Sequence, residues 1–78
     1  PEPIRIHVQT GGTVAWNGSP VPMATLQAQF DVEGARAVQP TIEITTDADA
    51  EYETLAKVLA RTKNAGLLKI SFVEDSLQ

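Results

Sequence analysis

Four acidic side chains lie close together in the second half of the chain, at Asp47, Asp49, Glu51 and Glu53. Carboxylates at this spacing could bind a cation or act as a paired general acid and base. A calcium-binding loop also needs a glycine for its sharp turn, and no glycine lies between the first and last of them. The pattern therefore favours the start of a helix, with Asp49 as N-cap and the two glutamates near the positive end of the helix dipole.

The other residues that could do chemistry are isolated. His7 is the only histidine and the chain has no cysteine, which excludes a disulfide framework and a closed zinc site. Gly11 and Gly12 could suggest a phosphate loop, but a strand is expected after them rather than the helix N-terminus that such a loop needs. We interpret them as a two-residue hairpin turn. No catalytic residue, metal site or cofactor is predicted, and the chain is not expected to be an enzyme.

Composition limits the class of protein further. The 78 residues are enough for one domain with a thin core, and the formal net charge is −4. This excess of acidic over basic residues argues against nucleic acid as a partner. It also argues against binding to anionic lipid through this domain alone. No apolar run approaches the ~20 residues of a membrane-spanning helix. The chain begins with proline rather than methionine, so we expect it to be a fragment of a longer protein.

The first half of the chain predicts two strands and a helix. Residues 4–8 alternate apolar and polar side chains and predict a half-buried strand, with residues 13–16 pairing back antiparallel. Asn17-Gly18 predicts a second turn, with a short extended segment beyond it whose prolines restrict it to a sheet edge. A helix with Pro22 in its first turn is predicted to follow, and it ends at Gly34 or runs one turn further. Its predicted core residues are Met23, Leu26 and Phe30. Trp16 is expected to pack in the core or cap an edge, and the alternative is an anchor for a binding partner.

The second half predicts strand, helix and strand. Residues 41–45 and 68–72 have the period of two that is typical of half-buried strands. The helix between them ends at Gly66, which supplies a left-handed residue, and Leu67 closes it with an apolar contact. The predicted inner face of this helix consists of Tyr52, Leu55, Val58, Leu59 and Thr62.

These elements predict an α+β fold, a two-layer α/β sandwich in the order β-β-α-β-α-β. Right-handed crossovers place both helices on one face of a four-stranded mixed sheet, in the order strand two, one, three, four. Apolar positions predicted to face the helices are Ile4, Ile6, Val8, Ile42, Ile44, Leu68, Ile70 and Phe72. Positions predicted on the open face are Arg5, His7, Gln9, Glu43, Thr45, Lys69 and Ser71.

Several stretches carry a family resemblance. Residues 49–55 with Lys57-Val58, and then residues 65–73, resemble the periplasmic domain of the ExbD/TolR family. Tyr-Glu-Thr-Leu at 52–55 and Leu-Lys-Ile at 68–70 are more similar to the ExbD branch than to the TolR branch. At position 72 this chain has phenylalanine where the family has an aliphatic residue.

The resemblance implies a function. ExbD-like proteins work with ExbB in the bacterial inner membrane as a motor driven by the proton motive force, which energises TonB-dependent transport of siderophore-bound iron across the outer membrane. The family's proton-carrying aspartate lies in a membrane helix that this chain lacks, so none of the acids here is assigned that role. The implied partners are ExbB, TonB and a second copy in a homodimer, in the periplasm.

The implied domain boundaries are 1–3 for the end of a periplasmic linker, 4–74 for the ExbD-like domain and 75–78 for a frayed tail. One alternative is a TolR-like domain that recognises peptidoglycan with the Tol system. Another is a small-ligand or enzyme domain of unrelated class.

The last strand is the predicted partner-binding site. It should be outermost in the sheet, where free main-chain groups can pair with a strand from a second copy or from TonB. The alternative is an edge that stays solvated. The site is predicted to consist of Leu68, Ile70, Ser71, Phe72, Val73 and Glu74, and proline at Ser71 or Val73, whichever directs its N–H outward, is expected to abolish binding.

Overall fold

The computed structural model describes residues 1–73. In chain order the elements are β1 (Ile4–Val8), β2 (Val14–Trp16), β3 (Ser19–Val21), α1 (Met23–Gly34), β4 (Ile42–Thr46), α2 (Tyr52–Asn64) and β5 (Ile70–Phe72). They form a mixed sheet in the order β3-β2-β1-β4-β5. β1 is parallel to β4 and β4 to β5, whereas β1, β2 and β3 are antiparallel neighbours. The predicted α+β class and the order of four strands are confirmed, with a fifth strand added at one edge.

The added strand is β3, which follows the Asn17-Gly18 turn. Both turn residues have positive φ, 50° and 90°, as a two-residue hairpin requires. The turn pairs Trp16 with Ser19. The sequence predicted this segment only as a short extension, because three residues that include a proline give little strand signal.

The first hairpin differs from the prediction. Gly12 donates its N–H to the Gln9 carbonyl (3.3 Å), and Gln9 donates to the Thr13 carbonyl (2.8 Å). The loop therefore spans Thr10, Gly11 and Gly12, with φ of +91° and +86° at the glycines, and the predicted two-residue turn is wrong. Thr10 joins the loop because its own N–H bonds to a distant carboxylate, described below.

The core lies between the sheet and the helices. Phe30 and Leu26 of α1 and Val58 of α2 have no exposed surface, and they pack with the apolar residues of β1, β2 and β4. The Trp16 ring lies 5.5 Å from the Phe30 ring, centroid to centroid, so the tryptophan packs against the core as predicted. The predicted inward direction of the β1 and β4 side chains is confirmed.

The second helix presents a slightly different face than predicted. Tyr52 is 80% exposed, and Thr54 is buried instead. Val58 lies one turn beyond Thr54, and buried Thr62 lies one turn beyond Val58, which defines the line that faces the core. Leu55 and Leu59 flank this line and contact the core as predicted. Tyr52 is the first helical residue and stays exposed.

Of the two predicted ends of α2, the C-terminal one is confirmed and the N-terminal one is wrong. Gly66 has φ +75°, its N–H donates to the Lys63 carbonyl, and the N–H of Leu67 donates to the Thr62 carbonyl. This is the predicted left-handed end with its buried apolar contact. At the start, the N-cap is Glu51, with no side-chain capping bond, so the predicted Asp49 cap is wrong. The helix begins at Tyr52, too late for Asp49 to reach its first N–H groups.

No helix among the described residues has both the length and the apolar character needed to cross a membrane.

Candidate partner-binding edge strand

β5 is the outermost strand on one side of the sheet. It pairs in parallel with β4, with Ile42 opposite Ile70 and Ile44 opposite Phe72. A parallel strand at this position follows from the α2 crossover, which returns the chain to the same edge. The described strand covers Ile70–Phe72, which is shorter than the predicted 68–72.

Two hydrogen bonds to β4 set the direction of the main-chain groups of β5. The Val73 N–H donates to the Ile44 carbonyl (2.9 Å), and the Lys69 carbonyl accepts from the Ile42 N–H (2.8 Å). Because successive residues of a strand alternate, Ser71 also faces β4, and Ile70 and Phe72 direct their N–H and C=O groups away from the sheet. Neither Ser71 nor Val73 has an outward N–H, so the informative proline position is 72.

The side chains at this edge are largely apolar and exposed. Leu68 is 84% exposed, Phe72 62% and Val73 42%, whereas Ile70 is half-buried and packs against the core. The register places Ile70 and Phe72 on the same face as buried Ile42 and Ile44. Leu68 and Phe72 were predicted to point into the core, but the outermost strand lacks a neighbour on its far side to complete their burial. Glu74 lies outside the described residues.

The opposite edge is less suited to strand addition. Trp16 and Ser19 flank a two-residue turn and form its hydrogen-bonded pair, so the next residue, Pro20, turns its backbone nitrogen outward. Proline has no N–H to donate. Of the two sheet edges in the described residues, only β5 therefore offers outward main-chain N–H donors, at Ile70 and Phe72.

A separate polar cluster joins β1 to the start of the α2 crossover. The His7 Nε2 atom lies 2.7 Å from Asp47 Oδ1, and the Thr10 N–H donates to Asp47 Oδ2 (2.9 Å). The Asp47 N–H in turn donates to the Val8 carbonyl (2.9 Å). His7 is half-buried on the open face as predicted, but its partner was not foreseen, because 40 residues separate the two.

This cluster explains the lowered pKa of Asp47. The hydrogen bond from the Thr10 backbone, followed by that from the His7 side chain, holds the pKa of Asp47 below its ordinary value. These bonds favour the ionised carboxylate over the protonated acid. Asp47 therefore connects β1, the first hairpin and the end of β4. Within the described residues, no three potential metal ligands lie close enough together to hold an ion.

Replacement of Asp47 by asparagine is expected to remove a pH-dependent part of the stability. A depressed carboxyl pKa stabilises the fold above the unfolded-state pKa of about 3.9, and the contribution is lost as pH falls through the folded-state pKa. The difference in unfolding free energy between parent and Asp47→Asn should therefore be full at pH 6 and shrink below pH 4. Urea titrations across this range measure it. Asp49→Asn, which changes an exposed carboxylate nearby, is the control, and a pH-independent difference for Asp47→Asn would contradict the assignment.

The rest of the open face is polar and shallow. Arg5 Nε lies 3.4 Å from the carboxylate of Glu43, its partner across the β1–β4 pairing. A hollow of about 500 Å³ lies over β1 and β2, lined in part by His7, Gln9 and Ala15. It opens broadly to solvent.

The fold and its edge define a class: a small α+β domain with one covered sheet face and a parallel strand, β5, at the edge of the described sheet. The family model described as biopolymer transport protein ExbD/TolR matches residues 1–76. The chain belongs to the ExbD/TolR family.

Named relatives agree with this assignment. The chain is 41% identical over 76 residues to biopolymer transport protein exbD2 of Xanthomonas campestris pv. campestris, covering 95% of this chain and 56% of the relative. It is 22% identical over 71 residues to biopolymer transport protein exbD1 of the same organism, covering 91% of this chain and 51% of the relative. The chain thus spans about half the length of these relatives.

Proposed function

We propose that this chain is the periplasmic, partner-binding part of an ExbD-like component of an ExbB–ExbD motor that energises TonB-dependent uptake. In this proposal the full-length protein is anchored in the inner membrane, and this domain relays force by contact rather than by catalysis. The single observation that carries the proposal is the unpaired edge of β5, which presents an outward N–H and C=O at Phe72. Membership of the family supplies the expected partners.

The edge has the properties of a strand-addition site. An incoming extended segment would gain main-chain hydrogen bonds from Ile70 and Phe72, and alternate side chains would determine which segment fits. The exposed side chains of Leu68, Phe72 and Val73 add apolar surface that such a segment could bury. The closeness to a relative named exbD2 favours the ExbD branch over the TolR branch. An extended periplasmic segment of TonB or β5 of a second copy would be the occupant.

Phe72→Pro is expected to weaken this binding strongly while leaving most of the fold intact. Proline removes the outward N–H of residue 72 and none of the hydrogen bonds between β4 and β5. Loss of that donor, with its acceptor left unpaired, should weaken binding on the order of tenfold to a hundredfold. A backbone NMR titration with the TonB periplasmic segment measures affinity and location together, and sedimentation measures self-association.

Two variants separate the possible causes of a loss. Phe72→Ala keeps the N–H and removes the ring, so it should bind more tightly than Phe72→Pro. Ser71→Pro breaks the bond to β4 and should disturb the strand itself. If Phe72→Pro and Phe72→Ala bind equally well, the backbone edge is not the contact. Largest shifts at Trp16 and the Asn17-Gly18 turn would assign the opposite edge instead, and retention on peptidoglycan without TonB binding would assign the TolR-like function.

A further inference from the structure

The side chain of Gln39 bonds to three separate parts of the backbone. Its Nε2 donates to the Gly34 carbonyl (3.1 Å) and to the Gly66 carbonyl (2.9 Å). Its Oε1 accepts the N–H of Leu68 at 3.0 Å. The carboxamide therefore hydrogen-bonds to main-chain groups of the last residue of α1, of the residue that ends α2, and of the segment that leads into β5.

The surroundings of Gln39 hold it in place. The next residue, Pro40, is fully buried, and Thr41 accepts the N–H of Ile4 at the start of β1 (2.9 Å). The ends of the helices also touch, because a Cβ added at Gly34 would lie 2.0 Å from the Ala65 carbonyl oxygen. The backbone next to Gln39 is thus held in place, and the Gln39 side chain lies where the two helix ends meet.

Apart from the bond to Gln39, few interactions hold β5 in place. The strand has three residues and pairs on one side only. Between Gly66 and β5 the chain is irregular, and Leu68 there is exposed. In this connecting segment, the Leu68 N–H has its partner in the Gln39 side chain, and the next bond to the sheet is made by the Lys69 carbonyl. The position where β5 begins therefore depends on Gln39 and on the helix ends that it joins.

We propose that Gln39 is a positioning residue for the partner-binding edge, which fixes β5 relative to the helix layer. The proposal rests on the function proposed above, and it adds that a load on β5 is passed to both helices through one side chain. An amide is suited to this position because it donates to two carbonyls and accepts from one N–H at once. A side chain that only accepts, or only packs, cannot replace it.

Gln39→Met tests the proposal, with Gln27→Met as a matched control. Gln27 also joins the helices, since its Nε2 donates to the Arg61 carbonyl (3.3 Å) and to Asp31 (3.0 Å). It makes no such bond to the segment before β5. Gln39→Met should accelerate amide hydrogen exchange at Ser71 and Val73 about tenfold. Exchange at Ile6 and Thr45, whose N–H groups lie in the pairing of β1 with β4, should be much less affected. Gln27→Met should leave the rates at Ser71 and Val73 unchanged.

Affinity provides an independent measurement. In the NMR titration with the TonB periplasmic segment, Gln39→Met should weaken binding about tenfold and Gln27→Met should not. If exchange rises equally at β1, β4 and β5, Gln39 has only a general structural role and the proposal is wrong. If the parent does not bind the segment, the proposed function fails, while the exchange experiment still decides whether Gln39 positions β5.

A test on the unaltered protein covers the case in which Gln39→Met does not fold. Native-state hydrogen exchange in low denaturant should show the amides of Leu68 and Val73 opening together, with one free energy and one denaturant dependence. Independent opening of these two amides would overturn the proposal.

Discussion

Gly34→Ala is expected to destabilise this domain by about 3 kcal/mol or more, although alanine is ordinarily the better helix residue by about 1 kcal/mol. The new Cβ would lie 2.0 Å from the carbonyl oxygen of Ala65 and 3.0 Å from its carbonyl carbon. Backbone atoms cannot move aside by rotating a side chain. One helix would have to shift away from the other, which would also pull Gly34 from the Gln39 side chain.

Denaturant unfolding of Gly34→Ala measures this loss. Ala28→Gly, at an exposed position of the same helix, is the matched control and should cost only about 1 kcal/mol. The double variant with Ala65→Gly should not recover the stability, because the close contact is with the backbone of residue 65 and its Cβ lies farther away, at 3.6 Å. Recovery in the double variant, or a stabilised Gly34→Ala, would show that the helix ends do not meet in this way.

Ile44→Ala is expected to cost about 2–5 kcal/mol, several times the cost of Glu43→Ala. Ile44 is 1% exposed and lies between Ile6 of β1 and Phe72 of β5. Truncation would leave a cavity in the centre of the core. Glu43 is its neighbour on the opposite face of the strand, where it pairs with largely exposed Arg5, and exposed pairs contribute about 0–1 kcal/mol.

The comparison of Ile44 with Glu43 tests the register of the whole sheet. A slip of one residue exchanges the two faces of a strand, so equal losses for the two variants would mean that β4 is placed wrongly. Urea midpoints for the two variants and the parent provide the comparison. Leu55, which the sequence placed in the same core as Ile44, is only partly buried, so Leu55→Ala should fall between these two.

Much of the fold could be predicted because its signals are local. Asn17-Gly18 accepts the positive φ of a tight turn, and Gly66 ends α2 for the same reason. The alternation along residues 4–8 and 42–46 indicates which side chains face the helices. With those elements known, the right-handed crossover leaves few orders for the parallel strands, and β5 is placed at the edge.

The predictions that were wrong or incomplete concern residues whose role depends on a partner distant in the sequence. Asp49 was predicted to cap α2, but the N-cap is Glu51, and Asp47 was predicted only as a member of the acidic cluster at the start of that helix. Asp47 instead binds His7, because the parallel pairing of β1 with β4 places both on the open side at the same end of the sheet. Gly34 was predicted as a helix end, yet its requirement for glycine comes from the approach of Ala65.

The sequence by itself determined the class, the family resemblance and the existence of an edge strand, because periodicity, turn residues and motif order are carried by neighbouring residues. Only the tertiary structure decided which β5 residues direct their N–H outward, which of their side chains stay exposed, and that Gln39 joins both helices to that strand. The physical reason is that the direction of a main-chain donor depends on register against β4, and a change of one residue reverses it. The partners of Gln39 are brought together only when the two helix ends meet.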